Sequence, residues 1–256
     1  MPPRRIAFRG GKSAFFRPAD VIFPEDAVLY RKPEKLEFDL KKIGGSDEDF
    51  SLERLAGSGP DTVVVLHGWG VRADSMRKLA EMLVEAGYGV LNCDYPASRF
   101  PIAAHAEHFL KRFRGERLAG NVHILTHSMG GLVLRHAMAK MTEAECRGID
   151  SIVMLGPPHG GSRLALFGKL PFAALFDASL GGMVPGSSAL NIPPPPYLPP
   201  VGIIAGARDG KVAFESTALP GGLPFERVTV NCTHPGLRNP SNTGSFILKF
   251  MRDKHF

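Results

Sequence analysis

Ser128 directly follows the apolar segment 121–127, and two glycines, Gly130 and Gly131, come almost at once after it. A nucleophilic serine can lie on an abrupt change from strand to helix. The sharp turn projects its hydroxyl above the sheet, and small residues let the backbone pass close to its neighbours. Thr126 stands where the motif G-x-S-x-G has its first glycine, and a threonine can end a strand comfortably. The segment favours a serine nucleophile, although an ordinary strand–helix junction would give similar residues.

A serine hydroxyl needs a base to take its proton, and the base needs an acid to orient it. For a serine on a strand-to-helix turn, the acid and then the histidine follow it along the chain. Asp209 and His234 each come just after a predicted strand, in the required order. Between residue 151 and Asp209 the only carboxylate is Asp177, inside an apolar insertion, and His255 is the penultimate residue. We therefore predict Ser128, Asp209 and His234 as nucleophile, acid and base.

The segment His67-Gly68-Trp69-Gly70 follows the first buried strand and could stabilise negative charge on oxygen. An acyl-transfer intermediate needs N–H donors that are already in place. The predicted donors are the backbone N–H groups of Trp69 and of Met129, the latter at a helix N-terminus. A glycine-rich loop could also hold a phosphate, but neither G-x-G-x-x-G nor G-x-x-x-x-G-K-[ST] is present, so nucleotide binding is not predicted.

Three other histidines are near these segments. We predict that His67, at the end of a strand, makes structural hydrogen bonds. His127 should point the opposite way to Ser128 along the strand and be structural as well. His159, in the sequence GPPHGGS, precedes the acid along the chain and is predicted to line the substrate pocket.

The elements that must position these residues alternate along the chain from residue 62 onward. Continuous apolar strands between amphipathic helices predict an α/β fold, a mostly parallel sheet with helices on both faces. Ligands bind beyond the carboxyl ends of such strands, where Ser128 is predicted to lie. The predicted strands are 62–67, 89–94, 121–127, 151–156, 201–207 and 225–230, and the predicted helices are 75–88, 102–115, 130–141 and 244–253.

Two regions depart from this alternation. Residues 1–60 contain short β-favouring pieces, which predict two or three antiparallel edge strands. Residues 162–200 predict a small apolar cap insertion, which could bind an acyl chain or only cover the sheet. Six of the eight residues 193–200 are proline, so that part should be stiff and extended. It is predicted to be a rigid return to the sheet rather than a partner-binding motif. The predicted acyl-pocket residues are Phe167, Phe172, Leu175 and Phe176.

Composition limits the class of protein. The 256 residues suit one domain, with 44% hydrophobic and 22% charged residues. The net charge is +6, but the basic residues are not interleaved with aromatic ones as in a nucleic-acid binder. A solvated basic face is therefore predicted. No apolar run is long enough for a transmembrane helix or a signal peptide. Three scattered cysteines indicate reduced thiols and favour the cytoplasm, with a secreted form that has lost its leader as the alternative.

The chain resembles lipases and esterases of the α/β-hydrolase superfamily over roughly residues 60–250. The resemblance rests on seven strings in the order HGWG, GYGVLNCDYPAS, VHILTHSMGGLVLR, VMLGPPHGGS, MVPGSSAL, DGKVAFEST and TH. Two departures are Thr126 in place of glycine and Pro-Gly-Leu after His234. Residues 1 to about 55 match no pattern known to us.

The resemblance implies an α/β-hydrolase fold and the same Ser128, Asp209 and His234, with Trp69 and Met129 as oxyanion donors. The expected activity is hydrolysis of small-molecule or lipid carboxylic esters without metal or organic cofactor, with contact at a lipid interface left open. An amidase, thioesterase or acyltransferase would use the same residues. A non-catalytic relative would usually have lost one of the three, and this chain keeps them all.

Overall fold

A computed structural model describes residues 50–163, 165 and 179–256, together with the two-residue strand at 21–22. The strands are β1 Val21–Ile22, β2 Ser51–Leu55, β3 Thr62–Leu66, β4 Gly89–Asp94, β5 Val122–His127, β6 Ile149–Leu155, β7 Val201–Gly206 and β8 Glu226–Val230. The α-helices are α1 Arg77–Glu85, α2 Ile102–Gly115, α3 Met129–Met138, α4 Glu143–Arg147 and α5 Pro240–Asp253. Short 3-10 helices lie at Ala73–Met76, Gly181–Met183, Ser188–Leu190, Glu215–Thr217 and Pro235–Arg238.

All eight strands form one sheet in the order β1-β8-β7-β6-β5-β3-β4-β2. Among the strands that the structure describes, only β2 runs antiparallel, beside β4 at one edge. The other N-terminal strand, β1, corrects part of the prediction, because it pairs in parallel with β8 at the opposite edge. Whether β1 pairs in parallel or antiparallel depends on a partner some two hundred residues away. The short β-favouring sequence of the strand does not indicate which. The mostly parallel α/β sheet is confirmed.

The central strands are buried on both faces, which explains their unbroken runs of apolar residues. Every residue of β3 is buried, and its side chains alternate between two cores. One core contains Val64 with Phe109 of α2 and Leu132 of α3. The other contains Val63 with Leu79 of α1 and Phe250 of α5. Helices therefore cover both faces, and the carboxyl ends of the strands are left for a site.

Helices α4 and α5 differ from the prediction for local reasons. Helix α5 begins at Pro240, four residues before the predicted start, because Asn239 accepts a hydrogen bond from the Ser241 N–H and proline fits the first helical position. Helix α4 was not predicted. It has only five residues, and a capping box between Thr142 and Glu145 stabilises its first turn.

The described part of the insertion has two 3-10 turns and then no helix or strand through the proline-rich segment 193–200. The guanidinium of Arg147 lies 4.2 Å from the centre of the Tyr197 ring and holds that segment against α4. The predicted acyl-pocket residues Phe167, Phe172, Leu175 and Phe176 lie outside the described residues. Among the helices that are described, none is both long and apolar enough to span a membrane.

The three cysteines, Cys93, Cys146 and Cys232, are all buried and unpaired. Burial raises the pKa of each thiol, and for Cys232 it does so to about 12, with the nearby Asp209 carboxylate adding to the effect. The thiols therefore stay protonated and act as small apolar side chains in the core.

Candidate active site

Ser128 lies on the turn between β5 and α3 with φ 53° and ψ −125°. Among the described residues, Lys254 is the only other non-glycine with a positive φ, and it has ordinary left-handed angles at the end of α5. The Ser128 angles fall outside that left-handed well, so the backbone is strained. Two hydrogen bonds hold it there. The Ser128 N–H donates to the Leu155 carbonyl at 2.8 Å, and the Ser128 carbonyl accepts from the Gly131 N–H at 3.0 Å.

Two glycines let the loop after β3 lie against this turn. A Cβ atom on Gly68 would be 2.9 Å from the Ser128 Cβ. A Cβ on Gly130 would be 2.7 Å from the His67 carbonyl oxygen and 2.8 Å from that of Leu66. All three distances are shorter than real side chains adopt, so the close approach of loop and helix depends on glycine at both positions.

Thr126 is fully buried at the strand end, with φ in the ordinary negative range. Its hydroxyl has no hydrogen-bond partner among the described residues. The departure from the usual glycine therefore costs no backbone strain, but it leaves a polar atom unsatisfied in the core.

We expect Thr126→Val to stabilise the protein by about 1 kcal/mol, because it replaces the unsatisfied hydroxyl with a methyl group of similar size. Urea denaturation with both variants measured side by side checks this. The control is Thr126→Ser, which keeps the hydroxyl and removes the methyl group, and should lower the free energy of unfolding. A Val variant less stable than wild type would contradict the interpretation.

Asp209 and His234 form a buried pair at the ends of β7 and β8. His234 Nδ1 lies 2.6 Å from Asp209 Oδ2, and only 5% of the histidine side chain and 4% of the aspartate side chain are exposed. The other carboxylate oxygen, Oδ1, accepts hydrogen bonds from the N–H groups of Lys211 and Val212, each at 2.9 Å. Because a carboxylate only accepts, the imidazole must donate from Nδ1, and this leaves Nε2 with a lone pair.

Gly156 brings the end of β6 against this pair. Its φ is +54°, and a Cβ there would lie 3.2 Å from His234 Nδ1 and 3.3 Å from Asp209 Oδ2. The residue before it, Leu155, accepts the Ser128 N–H, so one short segment contacts all three predicted catalytic residues. Among the described contacts there is no hydrogen bond between the Ser128 hydroxyl and the His234 ring. In free enzymes such bonds are often long and tighten only with substrate.

The predicted oxyanion donors lie on the two segments that meet at the serine. Met129 is fully buried in the first turn of α3, where backbone N–H groups have no partner within the helix. Trp69 follows Gly68, where an added Cβ would lie 2.9 Å from the Ser128 Cβ, and the Trp69 side chain is half-buried against the core. The two N–H groups therefore belong to segments in contact on either side of Ser128.

His67 holds the loop that contains Trp69, as its position at a strand end predicted. Its Nδ1 donates to the Gly68 carbonyl at 2.9 Å, and its Nε2 accepts the Tyr95 N–H at 3.2 Å. The Tyr95 hydroxyl in turn donates to the His67 carbonyl, and the two rings stack with centres 3.9 Å apart. In a trans peptide the C=O and N–H point to opposite sides. Fixing the Gly68 carbonyl therefore also fixes the direction of the Trp69 N–H.

Asp94 holds the far end of the same loop. Its carboxylate accepts from Arg72 Nε at 2.9 Å and from the Ala73 N–H at 2.8 Å. Burial alone would raise the pKa of Asp94, but the Arg72 guanidinium and the Ala73 N–H outweigh burial and hold that pKa well below its usual value. The roles of Asp94 and Tyr95 are not among those predicted from the sequence. The available signal was the string CDYP, residues 93–96, which spans the end of strand β4.

His159 is buried rather than open to solvent. Its Nδ1 lies 3.4 Å from an Arg135 guanidinium nitrogen, and its Nε2 lies 3.3 Å from the Met154 sulfur. Burial, and then the Arg135 charge, lower the pKa of His159 well below its usual value. A pocket-lining role for His159 stays a prediction.

The parallel sheet, the strained serine turn and the buried Asp–His pair define a hydrolase scaffold of the α/β type. Residues 63–244 match the profile of the Alpha/beta hydrolase family, and the chain belongs to that family. Comparison with curated proteins by sequence gives no match.

Solved structures of similar fold include several hydrolases of low sequence identity. The mature lipase BlEst2 of Bacillus licheniformis is 14% identical, with a TM-score of 0.64 over 78% of this chain and 98% of that one. The N-acyl homoserine lactonase AidH is 13% identical, with a TM-score of 0.61 over 80% and 94%. Est1E of Butyrivibrio proteoclasticus is 17% identical, with a TM-score of 0.54 over 80% and 94%. These similarities establish the fold, which hosts several chemistries.

Proposed function

We propose that this protein is a serine hydrolase of carboxylic esters. The observation that carries the proposal is the buried Asp209–His234 hydrogen bond of 2.6 Å, at the same sheet edge as the strained Ser128. A histidine fixed in the Nδ1–H tautomer has its Nε2 lone pair available as a base. Strained backbone angles such as those of Ser128 cost stability, and they cluster at functional sites.

In the proposed reaction Ser128 Oγ attacks the ester carbonyl carbon while His234 Nε2 takes the hydroxyl proton. The carbonyl oxygen becomes an oxyanion, which the Trp69 and Met129 N–H groups stabilise. The carbon–oxygen bond to the alcohol then breaks, and His234 returns the proton to the departing alkoxide. His234 then takes a proton from water, which attacks the acyl-enzyme carbonyl carbon. The bond to Ser128 Oγ breaks, the histidine returns the proton to that oxygen, and the acid is released. Asp209 holds the tautomer and stabilises the imidazolium throughout.

Each of these steps uses only side chains and backbone groups of this chain, so the proposal includes no metal or organic cofactor. The same residues would also serve an amidase, a thioesterase or an acyltransferase, which differ in leaving group and acceptor. We favour esters because the strings around the site resemble those of lipases and esterases.

Turnover of p-nitrophenyl esters from acetate to palmitate, with and without a lipid interface, tests the proposal. The expected result is hydrolysis by the wild type and a fall to background for Ser128→Ala, which keeps the fold and removes the nucleophile. Amide, thioester and alcohol-acceptor substrates in the same assay separate the alternative reactions. Equal rates for wild type and Ser128→Ala would refute the assignment.

A further inference from the structure

His127, the last residue of β5, contacts both the predicted base and the loop after β3. Its Nε2 lies 3.2 Å from the backbone carbonyl oxygen of His234. The two imidazole rings are tilted by 45° with their centres 4.8 Å apart. On its other side, a Cβ on Gly68 would be only 3.0 Å from His127 Nδ1. The His127 side chain thus packs between the predicted base, His234, and the loop that contains Trp69.

The hydrogen-bond pattern defines the state of this ring. A carbonyl can only accept a hydrogen bond, so His127 Nε2 carries the proton and donates a hydrogen bond to the His234 carbonyl oxygen. Its Nδ1 is buried and has no hydrogen-bond partner among the described residues. Burial lowers the pKa of His127 well below its usual value, and the nearby His234, Arg238 and Lys211 lower it further. The ring is therefore neutral, and its one hydrogen bond goes to the main chain of the base.

The main chain of His234 needs such support. His234 comes directly before the 3-10 helix Pro235–Arg238, and the bond from its ring to Asp209 fixes only one point of the imidazole. Rotation about that point would move Nε2 relative to Ser128 unless the backbone were also held. The second bond to the His234 carbonyl, at 3.3 Å, comes from the Leu237 N–H, which also donates to the Thr233 carbonyl. It lies within the same turn and so does not tie the turn to the sheet.

We infer that His127 is a positioning residue for the base: its Nε2–H anchors the His234 main chain to the strand that carries Ser128. The base is then held by the residue next to the nucleophile, so the positions of Ser128 and His234 do not depend on separate loops alone. The inference rests on the proposed function, because it assigns His127 a part in placing His234 Nε2 over the serine. Displacement of a catalytic group by about 1 Å can cost roughly 100-fold in rate.

Two substitutions of His127 distinguish the effect of its hydrogen bond from the effect of its ring packing. His127→Phe keeps an aromatic ring in the same space but cannot donate. His127→Gln places an amide N–H near the position of Nε2 and can restore the bond. We expect Phe to lower kcat roughly 10- to 100-fold while KM stays within about 2-fold, and Gln to recover kcat to within about 5-fold of wild type. The substrate is the p-nitrophenyl ester that the wild type hydrolyses fastest, and thermal melting is followed in parallel.

The outcomes are distinct. Wild-type kcat in the Phe variant, or equal losses in Phe and Gln, would overturn the inference, because the anchoring bond would then not matter. If the Phe variant does not fold, His127→Asn replaces it, since the shorter amide cannot reach the carbonyl, and the same difference from Gln is expected. Ser128→Ala is measured alongside. Turnover that survives Ser128→Ala would overturn the proposed function and this inference together, whereas serine-dependent turnover insensitive to His127 would overturn the inference alone.

Discussion

Asp209→Asn should lower kcat about 10,000-fold while leaving the fold intact, a loss of the size expected when a catalytic histidine is held in the wrong tautomer. The reason is the pair of hydrogen bonds to Oδ1 from the Lys211 and Val212 N–H groups. Two donors at that position require the oxygen of the introduced amide to face them. The amide NH2 group must then face His234 Nδ1, which can only accept from it. The proton moves to Nε2, and the base can no longer take the serine proton.

Steady-state hydrolysis of a p-nitrophenyl ester measures this loss, and circular dichroism shows that the fold is kept. Asp74→Asn is the matched control. The Asp74 side chain is 84% exposed, and its ion pair with Arg77 is on the surface, where such pairs contribute little to stability. It should keep wild-type turnover. An Asp209→Asn variant within tenfold of wild type would show that the acid has been assigned wrongly.

Gly130→Ala should both destabilise the protein and abolish most of its activity. The new methyl group would lie 2.7 Å and 2.8 Å from two backbone carbonyl oxygens, those of His67 and Leu66. Backbone atoms of a central buried strand cannot move aside as a flexible side chain would, so helix α3 must shift away from β3. We expect a loss of about 3 kcal/mol from overpacking. The same shift carries the Met129 N–H and Ser128 away from the loop, and turnover should fall roughly 100-fold.

Chemical denaturation and ester turnover, measured on the same preparations, test the two effects. Gly115→Ala is the control, because Gly115 ends helix α2 and a Cβ there has no neighbour within 4 Å. Its free energy of unfolding should stay within about 0.5 kcal/mol of wild type. A Gly130→Ala variant as stable and active as that control would mean that loop and helix are not in such close contact.

Local signals in the sequence were enough for the elements that position the site. Strand β4 and helix α2 have the predicted bounds, Gly89–Asp94 and Ile102–Gly115, because apolar periodicity and flanking proline and glycine mark both ends. Helix α4 was missed because five residues are too short for a periodic pattern. The parallel pairing of β1 with β8 was missed because it depends on a distant partner.

At the candidate site, too, local signals and chain order predict some features, and contacts between distant residues are not predicted. Chain order singles out Asp209 and His234, and the structure places them in hydrogen-bond contact. The support for the Trp69 loop could not be predicted, because Tyr95 reaches His67 across adjacent strands and no spacing rule links the two. The acyl-binding role of the cap residues, Phe167 among them, remains a prediction.

The three buried cysteines have a practical consequence for experiments on this protein. A thiol must be accessible and ionised to react, and Cys93, Cys146 and Cys232 are neither. Maleimides and iodoacetamide should therefore leave the folded wild type unlabelled. A single cysteine introduced on the surface could carry a fluorophore or spin label without prior removal of the native thiols. The native thiols would react only on unfolding, so their labelling rate would report how often the core opens.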